Sequence, residues 1–242
     1  MKTKHKKWLY VSLIILLATP VILLHSAFNG NPLSKYMAKR HLEHYLTETY
    51  PEQTLHIEDT FYNFKDSGYH FEVLKVPNGV EENSENFEFV VHGFLKMTVG
   101  QDGIYNDNLD ESLMEKLGNE ASSELETALK MEGVDIIDIT VQMEILKGTY
   151  DDVTWEPDLK TEEPIVVHIT IDAEDKTNDD ILKIAKHYQK QLNDDQYDYK
   201  FVSINGNVKI TDFEFGHVKY DLSFQPSDDL TIKDVGVEKQ EK

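Results

Sequence analysis

Seventeen residues, Trp8 to Leu24, pass without a charge. At a rise of about 1.5 Å per residue such a helix just crosses a hydrocarbon core, and continuing through His25 to Phe28 makes the span comfortable. Beyond Phe28 the pattern becomes one of short amphipathic stretches. Asn31-Pro32 supplies a polar cap and a proline at the first helical position, and Leu33, Met37, Leu42, Tyr45, Leu46 and Thr49 recur at three- to four-residue steps until Tyr50-Pro51 stops the helix. Alternation then takes over at Leu55, Ile57, Asp59 and Phe61, turns at Asp66-Ser67-Gly68, and resumes at Tyr69, Phe71 and Val73, which predicts a β-hairpin. After a polar loop from Asn78 to Asn86, Phe87, Phe89, Val91, Gly93, Leu95, Met97 and Val99 alternate without interruption and predict one long strand ending at Gly100 to Gly103.

A single apolar stripe, Leu109, Leu113, Leu117, Ala121, Leu125, Ala128 and Leu129, predicts a long helix over about 108 to 132 that packs across the hairpin and strand, with Gly133 as its breaker. Strands follow at Ile137 to Ile145 and Ile165 to Ile171, separated by an acidic loop from Gly148 to Pro164. Thr177 and Asp180 have the spacing of a capping box ahead of a helix carrying Ile181, Ile184, Ala185, Tyr188 and Leu192. Three further strands are expected at Tyr199 to Ile204, Val208 to Phe215 and Val218 to Phe224, with turns at Asn205-Gly206 and Gly216-His217. Both halves read as a helix followed by paired strands, suggesting a duplicated plan. The expected class is α+β: a basic head and transmembrane helix over 1–28, then two small domains, 29–132 and 133–226, each with a helix packed on an antiparallel sheet. A polar tail, 227–242, is expected to fray.

Charge orients the first segment. Lys2, Lys4, Lys6 and Lys7 precede it and no basic residue follows closely, so the amino terminus is expected in the cytoplasm and the bulk of the chain outside the cell membrane. The other reading is a cleaved signal peptide, but neither Leu24 with Ser26 nor His25 with Ala27 makes a small-residue cleavage pair. A retained single-pass anchor through residues 8–28, in contact with the lipid bilayer, is the expectation. The sequence has no cysteine, which removes both lipid modification at cysteine and disulfides, so the exported part is held by packing alone. The roughly 215 residues beyond the anchor suffice for two cores. The chain has a net charge of -21, and setting aside the four lysines of the head leaves about -25 outside. Nucleic acid and anionic headgroups are repelled by such a surface, whereas a basic protein or peptide of the envelope is an admissible partner.

Candidate chemistry is sparse. His41 and His44 share a helix face but lack a third metal ligand, and Asn106, Asn108 and Asp110 imitate a calcium loop without its glycine and terminal glutamate. The pairs Asp151-Asp152, Asp179-Asp180, Asp194-Asp195 and Asp228-Asp229 are what an acidic chain contains by chance, and Asp179-Asp180 suits a helix start. No nucleophile elbow, metalloprotease or nucleotide-binding motif occurs, so no catalytic residue, cofactor or metal is assigned. Two features suit an interaction surface. Tyr62, Phe64, Tyr69 and Phe71 cluster on the first hairpin, and Trp155, one of only two tryptophans, sits in the acidic loop beside Asp151 and Asp152. Cross-strand aromatic packing on the hairpin and burial of Trp155 beneath that loop are the preferred readings of the same residues. Exposed sheet edges offer strand addition as a docking mode.

The anchor followed by Asn29 to Tyr36, then Tyr45, Tyr50-Pro51, Phe61 to Phe64 and Tyr69 to Val73, resembles the YfjL-like family of membrane-anchored proteins of Gram-positive bacteria such as bacilli. The likeness is best over about 25–75. The helix-plus-hairpin unit also resembles PepSY-type modules, extracytoplasmic domains often attached to proteases and envelope regulators. These resemblances imply location and domain plan and carry no activity. A membrane-anchored extracytoplasmic binding or regulatory module of the cell envelope is therefore expected, not an enzyme. The alternatives are an envelope hydrolase using an unrecognised carboxylate pair and a divalent-cation-binding protein.

Overall fold

The computed structural model describes residues 2–76, 84–94, 96–210 and 213–238 and divides into two units, Met1–Asp107 and Asn108–Lys242. The first begins with α1, Lys2–Asn29, continuous through Pro20. Its described large apolar side chains, among them Trp8, Leu16, Leu23 and Phe28, are exposed, and the helix is long and apolar enough to cross a membrane. Gly30 turns the chain with φ +67°, and Asn31 then caps α2, Pro32–Thr49, accepting from the Ser34 N–H at 2.9 Å.

The residues of α2 that meet the sheet are Ser34, Ala38, Leu42 and Leu46, four apart. Leu33, expected on that face, instead points outward and is 60% exposed. Small side chains at the first two positions make room for Tyr69, which lies beneath them and bonds to Ser34. The sheet is an antiparallel meander of β1, Leu55–Asn63, β2, Gly68–Lys75, β3, Glu85–His92, and β4, Thr98–Asp102, and it offers Tyr69, Phe71, Val73, Phe89 and Val91 to the helix. The long strand expected from Phe87 to Val99 is two strands. Gly93 adopts φ +109°, where a side chain would strike the Lys96 carbonyl, and the chain reverses there. Leu95 and most of the loop expected from Asn78 to Asn86 lie outside the described residues. A single-turn helix, α3, Gly103–Asp107, closes the unit.

The boundary expected at Gly133 is corrected to residue 107. The amphipathic helix α4, Glu111–Ala128, gives Leu117, Ala121 and Leu125 to the second core, not to the first hairpin, together with Leu129 just past its end. Full burial of each of these leucines contributes about 1.5–3 kcal/mol. The second sheet has the order β5, Ile136–Gln142, β6, Ile165–Asp172, β7, Tyr199–Ile210, β8, Phe213–Phe224, and β9, Gly236–Val237. It is antiparallel except for β6 and β7, which run parallel because α5, Asn178–Asp194, crosses over between them. The two units thus differ in topology, and the duplicated plan is not present. The capping box forms: the Thr177 side chain accepts from the Asp180 N–H, and Asp180 accepts from the Thr177 N–H.

Two further expectations change. The strands expected over 199–224 are two long ones, β7 and β8, instead of three short ones, with Asn205-Gly206 and Gly216-His217 inside strands; residues 211–212 lie outside the described residues. The tail does not fray over its described part. Leu230 and Val235 are buried, β9 adds to the sheet, and α5 holds the preceding segment through Gln189 donating to the Gln225 and Asp228 carbonyls.

Helix α4 also closes one sheet edge. The Val141 N–H of edge strand β5 donates to Ser122 Oγ at 3.2 Å, and Gly118 lets the helix approach until an added Cβ would lie 2.8 Å from the Val141 carbonyl. Strand addition at this point is blocked.

Candidate functional site

In the second unit the amino end of α4, the end of β5 and the start of β6 leave a cavity of about 450 Å³. Its lining combines Leu109, Met114, Pro164 and Val166 with Glu111, Glu115, Glu144 and Glu163 and, among the described residues, Lys200. Lys200 Nζ is 3.5 Å from Glu163 Oε2. Each wall has a local cause. Asp110 caps α4 by accepting from the Leu113 N–H, which puts Glu111 in the first turn, and the Asp110 N–H donates to the Ile145 carbonyl, which pins that turn beside the strand. The Glu162 N–H donates to the Glu144 carbonyl and holds Glu163-Pro164 against it. Apolar contact with an acidic surround suits a ligand that is both cationic and aliphatic or aromatic. A second cavity, about 360 Å³ beside Tyr50 and Gln53 in the first unit, has a mixed-charge lining of Lys39, Glu43 and His56 and offers no comparable match.

Two polar clusters occupy the first unit. His70 lies between two carboxylates, with Nε2 2.7 Å from Asp66 Oδ2 and Nδ1 2.5 Å from Glu88 Oε1, while Phe61 stacks on the ring at 4.8 Å. Burial pushes the imidazole pKa down, but the hydrogen bonds and charges of Glu88 and Asp66 outweigh it and hold it above the ordinary value. Asp66 is correspondingly held low: burial opposes this, and the bonds from His70 and the Gly68 N–H prevail. On the helix side Tyr45 and Tyr50 both donate to Asp102 Oδ2 at 2.7 Å, and the Tyr105 N–H donates to Oδ1 at 2.9 Å. Burial and then the Asp102 bond push the Tyr45 hydroxyl up to about 12 and Tyr50 in the same direction. Both tyrosines therefore stay neutral donors, and the cluster fastens α2 to β4.

Of the candidate interaction residues, Trp155 and Tyr69 are buried, Tyr62 is half-buried and Asp151 and Asp152 are exposed. Trp155 is only 9% exposed and belongs to the second core, its backbone N–H donating to Glu120 Oε2 at 2.8 Å. Asp151 and Asp152 are exposed, and Asp152 lies 3.3 Å from Lys116 Nζ, which also donates to the Val153 carbonyl and ties the loop to α4. Tyr69 is buried: its hydroxyl accepts from the Asn31 N–H at 2.9 Å, donates to the Asn31 carbonyl at 3.0 Å and lies 2.6 Å from Ser34 Oγ. Tyr62 is half-buried against it, ring centroids 5.0 Å apart. Among the described residues no group of three His, Asp or Glu side chains is placed to hold a metal ion. Asp110 and Asp180 are helix caps, and His44 sits 3.4 Å from Glu48 on an exposed face. The glutamate-rimmed cavity was not anticipated. Its lining comes from separate stretches of chain around 109–115, 141–144, 163–166 and Lys200, with no linear signature beyond abundant glutamate.

Comparison with known proteins matches the model of the YfjL-like N-terminal domain over residues 5–103 and that of the YfjL-like C-terminal domain over 120–236. The two matches fall on either side of the division at residue 107. The chain is 29% identical over 220 residues to the uncharacterised protein YfjL of Bacillus subtilis (strain 168), an alignment spanning 90% of this chain and 93% of that protein. No solved structure matches.

Proposed function

The chain belongs to the YfjL-like family, and we propose that it is a single-pass, membrane-anchored module on the outer side of a bacterial cell membrane that binds a basic, amphipathic peptide segment. The observation that carries the reading is the cavity of about 450 Å³, lined by Leu109, Met114, Pro164 and Val166 together with the carboxylates of Glu111, Glu115 and Glu163. A partner presenting an aliphatic or aromatic side chain flanked by lysine or arginine matches both features. The charge of about -25 beyond the head raises the encounter rate with such a partner and discourages nucleic acid. The proposed orientation rests on the four lysines in the first turns of α1, ahead of its apolar stretch. The reading assigns the chain recognition and no catalytic step.

Two measurements test it. Because the sequence has no cysteine, Lys4→Cys and Asp151→Cys each carry a single thiol. A membrane-impermeant maleimide applied to intact cells is expected to label the second and spare the first, and the opposite pattern refutes the orientation. A fluorescein-labelled peptide of alternating lysine and leucine should then bind the full-length chain more tightly than its glutamate–leucine counterpart. Binding should weaken at least tenfold in Glu115→Lys/Glu163→Lys, and equal binding to that variant removes the cavity as the site.

A further inference from the structure

The last part of α1 meets the β1–β2 hairpin. Phe28, in the last turn of α1, packs its ring 5.4 Å from that of Phe64 at the tip of the β1–β2 hairpin. Around this contact Phe61, Phe64, Leu33 and Tyr36 each leave over half of their surface exposed. Leu33 and Tyr36 lie on the side of α2 away from its buried row, within two turns of the anchor's end. The charges nearby differ from those elsewhere: the chain's first acidic residue is Glu43, and Lys35, Lys39 and Arg40 precede it, with Lys65 on the hairpin. Lys35 reaches across to the Thr60 carbonyl at 3.1 Å and so holds its positive charge against the hairpin.

The connection between anchor and unit is short and held. Only Gly30 and Asn31 separate α1 from α2, and the Tyr69 hydroxyl bonds to both the N–H and the carbonyl of Asn31. A side chain at Gly30 would run into the Tyr69 hydroxyl. The hairpin tip is thereby kept at the level of the last turn of α1 and does not swing on a linker.

We propose that the β1–β2 hairpin tip seats its Phe61 and Phe64 rings in the headgroup–acyl boundary of the bilayer that α1 crosses, with Leu33 and Tyr36 beside it, so that the first unit is a membrane-seated base. The proposal rests on the reading of α1 as a retained anchor. Its commitment to lipid follows from continuity with that segment and from composition, since aromatic rings with basic neighbours are what the interface of a bilayer favours. No carboxylate occurs over the first 42 residues, and at the hairpin tip the carboxylate of Asp66 is paired with His70.

The test uses the intact chain in phosphatidylcholine vesicles with a single environment-sensitive fluorophore on Lys65→Cys, which leaves both phenylalanines in place. Leu16→Cys reports on the anchor and Asp151→Cys on an exposed loop. Lipid nitroxides near the headgroup should quench position 65 several-fold more than position 151, and adding Phe61→Ser/Phe64→Ser should bring 65 down to the level of 151. Quenching at 16 with none at 65 overturns the seating while leaving the anchor intact. An unquenched position 16 overturns the anchor itself. Quenching at 65 that survives the double serine change shows the rings are not what seats the hairpin, and shielding at 65 that grows with protein-to-lipid ratio without lipid quenching assigns the surface to a second copy; both outcomes overturn the proposal.

Discussion

Replacing Tyr69 with phenylalanine removes one oxygen from a site that is only 3% exposed and keeps the ring packing against α2. The lost hydroxyl serves the Asn31 N–H, the Asn31 carbonyl and Ser34 Oγ. A neutral hydrogen bond is worth about 1 kcal/mol net, and a part-buried backbone group left without a partner costs somewhat more, so the two Asn31 bonds together amount to about 2 kcal/mol. Since 1.4 kcal/mol is a factor of ten, the first turn of α2 should open about thirtyfold more often. Hydrogen exchange followed by mass spectrometry on the full-length chain in detergent micelles reads this directly in peptides covering 31–37. Peptides from α5 serve as the unaffected reference. Ser34→Ala, which spares both Tyr69–Asn31 bonds and loses the weaker bond from Ser34 Oγ to the Asn31 carbonyl at 3.2 Å, should raise exchange by less than about tenfold. Acceleration below about threefold in Tyr69→Phe, or equal acceleration in α5, would show that the hydroxyl does not fasten the start of α2, and the argument for a rigid connection to the anchor would fail.

Other expectations follow from the same chemistry. The His70 pKa is raised in the folded state, so its ion pairs stabilise fully below the unfolded value near 6.5 and are lost as pH rises through the raised value. The stability difference between the natural chain and His70→Gln should therefore be larger at about pH 5.5 than at pH 9, and a flat difference refutes the charged pairing. Trp155→Ala should destabilise the second unit by about 3–5 kcal/mol, seen as an earlier calorimetric transition. In a Trp8→Phe background the remaining tryptophan should resist iodide quenching until the chain unfolds, and free quenching in the native state refutes its burial. Gly118→Val should push α4 off the Val141 carbonyl and cost about 1–3 kcal/mol in urea unfolding, whereas a neutral result means α4 does not pack as described.

Local signals in the sequence were read correctly where one segment contains both the cause and the effect. Asn31-Pro32 and the Thr177–Asp180 box start helices, and Asp66-Ser-Gly68 turns the hairpin, because cap and turn chemistry acts within three or four residues. The stripe of α4 announced a helix but not which sheet it would cover, since amphipathicity names a face and not its partner. Alternation continued in phase through Gly93 and hid a reversal that a single left-handed glycine accomplishes. Pairing order is invisible to periodicity, and the parallel β6–β7 ladder went unseen for that reason. Trp155 sits in a polar loop, and the Glu120 and Lys116 contacts that draw the loop down over the core come from more than thirty residues away. In the tail, Leu230 and Val235 are two apolar residues in a charged stretch, too few to make a pattern yet sufficient to dock once α5 supplies partners for the carbonyls before them.

The crossover between β6 and β7 has a consequence for how the molecule comes into being. In the first sheet every strand pairs with its neighbour in the chain, so each addition closes a short loop and the sheet can assemble as residues appear. In the second, β6 waits for β7 until α5 has formed between them, and β9 joins last of all. Synthesis delivers the first unit earlier, and its local pairing lets it finish earlier. The slow step of maturation, and the window in which unpaired strands are open to proteolysis, belongs to the second unit, the one that carries the glutamate-rimmed cavity.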